Sequence, residues 1–287
     1  LVEVPLPVIF DAIPERGQRG PVMAAISRTA AQLGLLSVVR SDRIPPELSV
    51  GRDRIVPWLE ARDAASDGVH DGAAMVMLSD GPDAVAAQAA LKERNEDQVV
   101  AIRLAASIDV ATRVVQLARE GAEVVHLVAD SSGREAAEAN PRHMRDVLRD
   151  VHGALLEDGS RDQITLIGSG GIAVAEHMAK AVICGADLVA IDVPLLVALE
   201  CRLCGECERG QPCPVAMSEV EPAYAVQRIT NLMGAWHLQL VEMLGAMGIR
   251  EVRRLRGETG RCMFFEDLER ETFGELFGKR REDGAPA

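Results

Sequence analysis

Four of the chain's six cysteines fall within thirteen residues, in the stretch CRLCGECERGQPCPV at 201–215. Cys201, Cys204, Cys207 and Cys213 are spaced C-x2-C-x2-C-x5-C, and Pro214 follows the last. Two-residue gaps let a tight loop aim three sulfurs at one centre, and a Cys-Pro ending is typical of iron–sulfur loops. Zinc sites instead use two separated C-x2-C pairs, or cysteines with histidines at set distances. Here no second pair exists, and the nearest following histidine is His237. Three chemistries stand, in this order: iron–sulfur ligation, zinc, and a metal-free redox thiol cluster. With all four sulfurs engaged the group is a 4Fe–4S cluster; with one standing off it is 3Fe–4S. Cys184 and Cys262 lie apart from the run and read as small hydrophobes.

A second stretch bears on phosphate chemistry. Residues 168–171, GSGG, follow an apolar run ending at Ile167 and precede a helical pattern. In an eight-stranded barrel this is the loop after strand seven, which with the loop after strand eight commonly binds phosphate. Gly168, Ser169, Gly170 and Gly171 would bring backbone N–H groups to the anion, with a helix N-terminus behind them. The alternative is a tight turn with no ligand. Asp192 stands in the second of those loops, where its carboxylate would repel a phosphate dianion. Arg103 and Asp130 fall near strand C-terminal ends, where barrel chemistry collects, and are candidates for catalytic residues or for rim ion pairs. His126, within an apolar strand, reads as a satisfied core histidine, with ligand contact as the alternative.

The elements that must position these residues alternate along the chain. Strand patterns occur at 5–10, 35–39, 54–58 (weakly), 73–78, 98–104, 123–128, 163–167 and 187–191, with helices at 20–34, 82–94, 108–120, 141–157 and 173–184. Near-continuous apolar runs are how strands buried on both faces of a parallel sheet read. The expected fold is an α/β (β/α)8 barrel of TIM type at 1–195, with an open doubly wound sheet as the alternative. The cysteine loop at 196–218 follows, and then a helical extension at 219–287. Within that extension 221–247 form one long helix, with Ile229, Leu232, Trp236, Leu240 and Leu244 at three- and four-residue steps. Met233, Met243 and Met247 fall on the same spacing and read as packing. A short helix is expected around 265–277, then a disordered tail. Five arginines between Arg250 and Arg261 form a solvated face or a dock for an acidic partner.

Composition excludes several classes. The 287 residues carry a net charge of −13 and only 3% aromatics, which argues against nucleic acid or anionic membrane as main partner. Only three of the 31 basic residues are lysine, and that excess of arginine reads as genome composition. No apolar run approaches the ~20 residues of a membrane span. Leu1 is followed by no basic n-region or cleavage site. A cytoplasmic protein is expected, since a reducing compartment keeps thiols for metals.

At this point the sequence resembles a known family. The stretches QVVAIRLA, EVVHLVAD, GSRDQITLIGSGGI, KAVICGADLVAID and LLVALECRLCGECERGQPCPV resemble the flavin-binding synthase domain of glutamate synthase, the archaeal-type form above all. Family members run VKL, a His-containing strand, RDRVTLIADGGL, a GFG turn and a cysteine loop ending CPVGI. The resemblance is close over about 98–250 and loose before it. It implies a (β/α)8 barrel with flavin mononucleotide (FMN) at the strand C-termini, an iron–sulfur cluster beside it, and reduction of 2-iminoglutarate to glutamate. Cys201, Cys207 and Cys213 match the family's three cluster ligands, with one extra residue between the last two. Cys204 matches the fourth cysteine of the archaeal-type loop, and Gly170 and Gly171 match the flavin-phosphate glycines. Other positions differ. Arg103 replaces the lysine of VKL, Ser169 an acidic residue, Ala173-Val174 a Thr-Gly, and Ala190-Ile191-Asp192 the GFG turn. ADSSGREAAEANP at 129–141 stands in place of a glycine-rich substrate loop, and 40–97 has no counterpart to another glycine-rich segment.

The resemblance implies an iron–sulfur, FMN-linked oxidoreductase module that relays electrons to or from partner subunits of a redox complex. Its alternatives are a flavin-free, cluster-bearing subunit and an active glutamate synthase domain. A second copy of the chain is a further candidate partner.

Overall fold

A computed structural model describes residues 2–13, 21–44, 51–64, 71–136, 139–206, 209 and 211–259. Cys207, Cys262 and the helix expected at 265–277 lie outside the described residues. The chain divides into two units, Leu1–Gly257 and Glu258–Ala287, and the barrel lies in the first.

Eight parallel strands close into a barrel in chain order. They are β1 (Val8–Phe10), β2 (Ser37–Arg40), β3 (Ile55–Leu59), β4 (Met75–Ser79), β5 (Val99–Ala105), β6 (Val124–Val128), β7 (Thr165–Ser169) and β8 (Leu188–Ile191). Val8, Ile9 and Phe10 pair with Val189, Ala190 and Ile191, which closes the cylinder. Side chains alternate across each strand, so every second residue fills the interior. Ile9, Val38, Val56, Met75, Met77, Ala101, Val124, Ile167 and Ala190 pack there, all buried. Truncating one to alanine removes transfer energy and leaves a cavity, at a cost of about 2–5 kcal/mol for the larger ones.

The outer ring is uneven. Helices α1 (Pro21–Leu33), α2 (Ala84–Arg94), α3 (Val110–Arg119), α4 (Met144–Asp158), α5 (Ala175–Ile183) and α6 (Val193–Ala198) follow β1, β4, β5, β6, β7 and β8. Among the described residues, the β2–β3 and β3–β4 crossovers carry 3₁₀ turns in place of α-helices. The long helix α7 (Pro222–Ala246) starts at a proline, where the missing N–H costs nothing. Glu221 caps it by accepting from the amides of Ala223 and Tyr224 at 3.0 and 2.6 Å. Its buried residues Ala225, Ile229, Met233, Trp236 and Leu240 recur at three- and four-residue steps, and α7 packs on α1, α5 and α6. It therefore stands in the outer ring.

Candidate functional site

The strand C-terminal ends form the barrel mouth, and inward-pointing side chains of several strands meet there. Arg103 on β5 grips Asp11, the residue after β1, with two parallel bonds of 2.7 and 3.1 Å. The same guanidinium donates to His126 Nδ1 on β6 at 2.9 Å and lies 4.6 Å from the centroid of the Trp58 ring on β3. Trp58 is held in turn, its indole N–H donating to Ser79 Oγ at 3.0 Å. Arg40 approaches the same ring at 5.4 Å.

Electrostatics follow from this packing. Burial alone would raise the Asp11 carboxyl, but Arg103, with help from His126 and the Ala12 amide, outweighs it and holds the group below the usual carboxylate range. Burial, reinforced by the Arg103 charge and opposed by Asp11, pushes His126 down to about 3. His126 is therefore neutral at ordinary pH. An arginine only donates, so Nδ1 accepts and Nε2 carries the proton. That proton goes to Ser169 Oγ, 2.9 Å away. The serine and histidine sit as close as a nucleophile and its base, yet this tautomer cannot take the serine's proton. Both side chains are buried. The pair is structural.

The GSGG turn is dispersed by its surroundings. Gly168 faces outward, where a Cβ would meet Leu148 of α4 at 3.4 Å, and Ser169 faces inward onto His126. Gly170, at φ +97°, lies under the backbone of the β6–α4 loop, where a Cβ would be 2.6 Å from the carbonyl oxygens of Ala129 and Asp130. A Cβ on Gly171 would be 2.7 Å from Gly133 Cα. Close approach of protein backbone thus accounts for both glycines.

That loop is itself pinned. Asp130 Oδ1 accepts from the amides of Ser132 and Arg134, each at 2.9 Å, and from Ser132 Oγ at 2.7 Å. Burial raises its carboxyl and these bonds more than offset it, so Asp130 sits below its ordinary value. Buried Glu135 binds the Arg142 side chain and amide, each at 2.9 Å.

Asp192 caps α6, its Oδ1 accepting from the Val193 amide at 2.6 Å. Burial first, and Asp11 nearby, raise its carboxyl. A carboxylate therefore holds the amide that a phosphate would use, beside a second carboxylate and an arginine already spent. In this loop Asp192 does not fit the phosphate of a flavin mononucleotide.

Along the chain the cysteine run falls between α6 and α7. Cys201 and Cys213 are half-buried and Cys204 is exposed. Three non-glycine residues of this stretch, Glu200, Leu203 and Ala216, have φ of +69°, +51° and +46°. Such backbone is held only where its surroundings impose it. Helix α7 reaches the start of this stretch. Tyr224 donates to Glu200 at 2.6 Å and Arg228 to the Ala198 carbonyl at 3.0 Å. Among the described residues no three His, Cys, Asp or Glu side chains gather as a metal site, while Cys207 lies outside them. Four thiols in one loop are nevertheless the donor chemistry of an iron–sulfur cluster.

Of the residues singled out in the sequence, the structure brings Arg103, His126, Ser169 and Asp192 to the mouth. Asp130, Gly170 and Gly171 belong to the turn beside it. Asp11 and Trp58 complete the mouth and were not foreseen. A carboxylate directly after an apolar barrel strand is the signal that marks Asp11. No helix among the described residues is long and apolar enough to cross a membrane.

The family described as the conserved region in glutamate synthase matches residues 77–250. Archaeal glutamate synthase (NADPH) of Archaeoglobus fulgidus is 32% identical over 203 residues, covering 64% of this chain and 39% of the relative. That of Methanocaldococcus jannaschii is 29% identical over 247 residues, covering 80% and 46%. The chain thus spans less than half the length of these relatives. Among solved structures, a single-substitution flavocytochrome b2 with benzoylformate superposes with TM-score 0.60 at 15% identity, over 99% of this chain and 77% of that one. A mandelate oxidase mutant with a monooxide FMN adduct gives 0.55 at 16%, over 88% and 79%. These likenesses are of fold.

Proposed function

The chain belongs to the glutamate synthase family, in the region conserved within it, and we propose on that premise that it is an iron–sulfur electron-relay module of a glutamate-synthase-type oxidoreductase, with no flavin at its barrel mouth. Cys201, Cys204, Cys207 and Cys213 hold the cluster, 4Fe–4S when all four ligate. When bound, the cluster supplies one-electron transfer. The chain's own part is to hold the loop, through Tyr224 on Glu200 and Arg228 on Ala198, and to keep the mouth closed.

One observation carries this reading. At the loop after β8, where a flavin phosphate would need N–H donors, the buried carboxyl of Asp192 sits on its own helix amide, while the cysteine run is intact. Electrons then pass between this module and partner subunits. A relative, the glutamate synthase (NADPH) of Azospirillum brasilense, is by name a large chain, which supports a multi-subunit setting. The reducing cytoplasm suits the thiols.

Cysteine substitution tests the assignment. Purified without oxygen, the protein is expected to show the broad visible absorption of a sulfide-bridged cluster, and Cys207→Ser to lose most of it while the far-ultraviolet circular dichroism is kept. A colourless wild type that binds zinc through the same thiols would overturn the proposal.

A further inference from the structure

The opposite end of the barrel, at the strand N-termini, carries a second charged cluster. Arg161, 2% exposed, stands in the turn before β7. It donates through Nε to His152 Nδ1 on α4 at 2.9 Å, through Nη1 to the Ile164 carbonyl at 2.8 Å, and through Nη2 to the Gly185 carbonyl at 2.7 Å. Its Nη2 also reaches Asp187 Oδ2, before β8, at 2.9 Å. That oxygen accepts the Leu166 amide at 2.8 Å. The other oxygen of Asp187 is taken by Arg256, from the segment beyond α7, at 2.8 Å. Arg256 makes a second bond of 2.8 Å to Asp162. One residue before it, Leu255 is fully buried.

His152 lies at the centre of this seam. A Cβ on Gly185 would fall 2.4 Å from His152 Cβ, and one on Gly257 2.8 Å from His152 Nε2. The imidazole is therefore clasped between the α5–β8 loop and the returning segment. The charged groups facing it are Arg161, Asp187 and Arg256, with Asp162 beyond Arg256. Because Arg161 only donates, His152 Nδ1 must accept, and the latched arrangement requires a neutral ring. Protonation turns Nδ1–H against the Arg161 N–H and sets a third cation among groups served by two carboxylates.

We infer that the segment Val252–Gly257 is a pH-sensitive latch: it closes on the barrel's N-terminal face when His152 is neutral and is released when His152 is protonated. The latch is independent of any cofactor. Burial, then Arg161 and Arg256, lower the histidine's affinity for protons, against an opposing pull from Asp187. The sign follows. A group depressed in the folded state stabilises above its unfolded pKa, about 6.5 for histidine, and that stability fades as pH falls below it.

Hydrogen–deuterium exchange on the full chain, corrected for intrinsic rates, tests this. Between pH 7.5 and 5.5 the amides of 252–257 are expected to exchange roughly tenfold faster. Those of β7 should not speed up in parallel. His152→Asn places an amide oxygen where Nδ1 accepts but cannot titrate, and its exchange at 252–257 should not respond to pH. A flat wild type, a His152→Asn protein that follows the wild type, or equal acceleration in β7 would each overturn the inference.

Discussion

The two ends of the barrel hold the same three kinds of residue in the same relation. At the mouth Arg103 faces Asp11 and donates to His126 Nδ1; at the base Arg161 faces Asp187 and donates to His152 Nδ1, each arginine–histidine distance being 2.9 Å. What differs is the backbone that carries the parts. Arg103 and His126 are register partners on adjacent strands, and Asp11 follows a third, so the mouth triad opens only if the barrel opens. The base triad meets a fourth member, Arg256, on a segment that follows the last barrel helix. The same residue types thus make a lock at one end and a latch at the other. The cost of breaking a buried charge network depends on how many long-range pairings must open with it.

The largest effect that bears on this contrast is at the lock. Arg103→Met leaves Asp11 buried and unpaired, and should cost about 3–5 kcal/mol of unfolding free energy in a denaturant titration. Adding Asp11→Asn should restore much of the loss, because the stranded charge is then gone. A single substitution costing under about 1 kcal/mol would mean that the mouth is wet and open, and the distinction between the ends would fail.

A smaller effect separates the ends by pH. His126 is held neutral down to about 3, so the stability it contributes is fully present above the unfolded value of about 6.5 and declines as pH falls below it. One such histidine contributes a slope of about 1.4 kcal/mol per pH unit. Asp11, depressed below its ordinary value, adds a further loss only below about pH 4. In chemical denaturation from about pH 7 to about pH 5, His126→Gln should flatten the slope, and an unchanged slope would remove His126 as its source.

Much of the fold was legible because a parallel barrel writes its strands as unbroken apolar runs, and all eight strand patterns correspond to barrel strands. β3 was the weakest signal, since Pro57 and Trp58 interrupt its run. Arg103 and Asp192 were readable as strand-end residues. The partnership of Arg103 with Asp11 was not, because it spans 92 positions and exists only once β1 closes on β8. The glycine turn was readable as a motif, but the cause of its glycines was not. That cause is a neighbouring loop whose path no local pattern reveals. Nor did spacing alone disclose that α7 joins the outer ring.

On the proposed function, the cysteine loop serves a cluster while the mouth serves only the barrel. Iron, acid-labile sulfide and flavin, measured together on one sample purified without oxygen, decide between that division of labour and its rivals. About four irons and four sulfides per chain, with no flavin, are expected. Stoichiometric flavin, or zinc without sulfide, would contradict it.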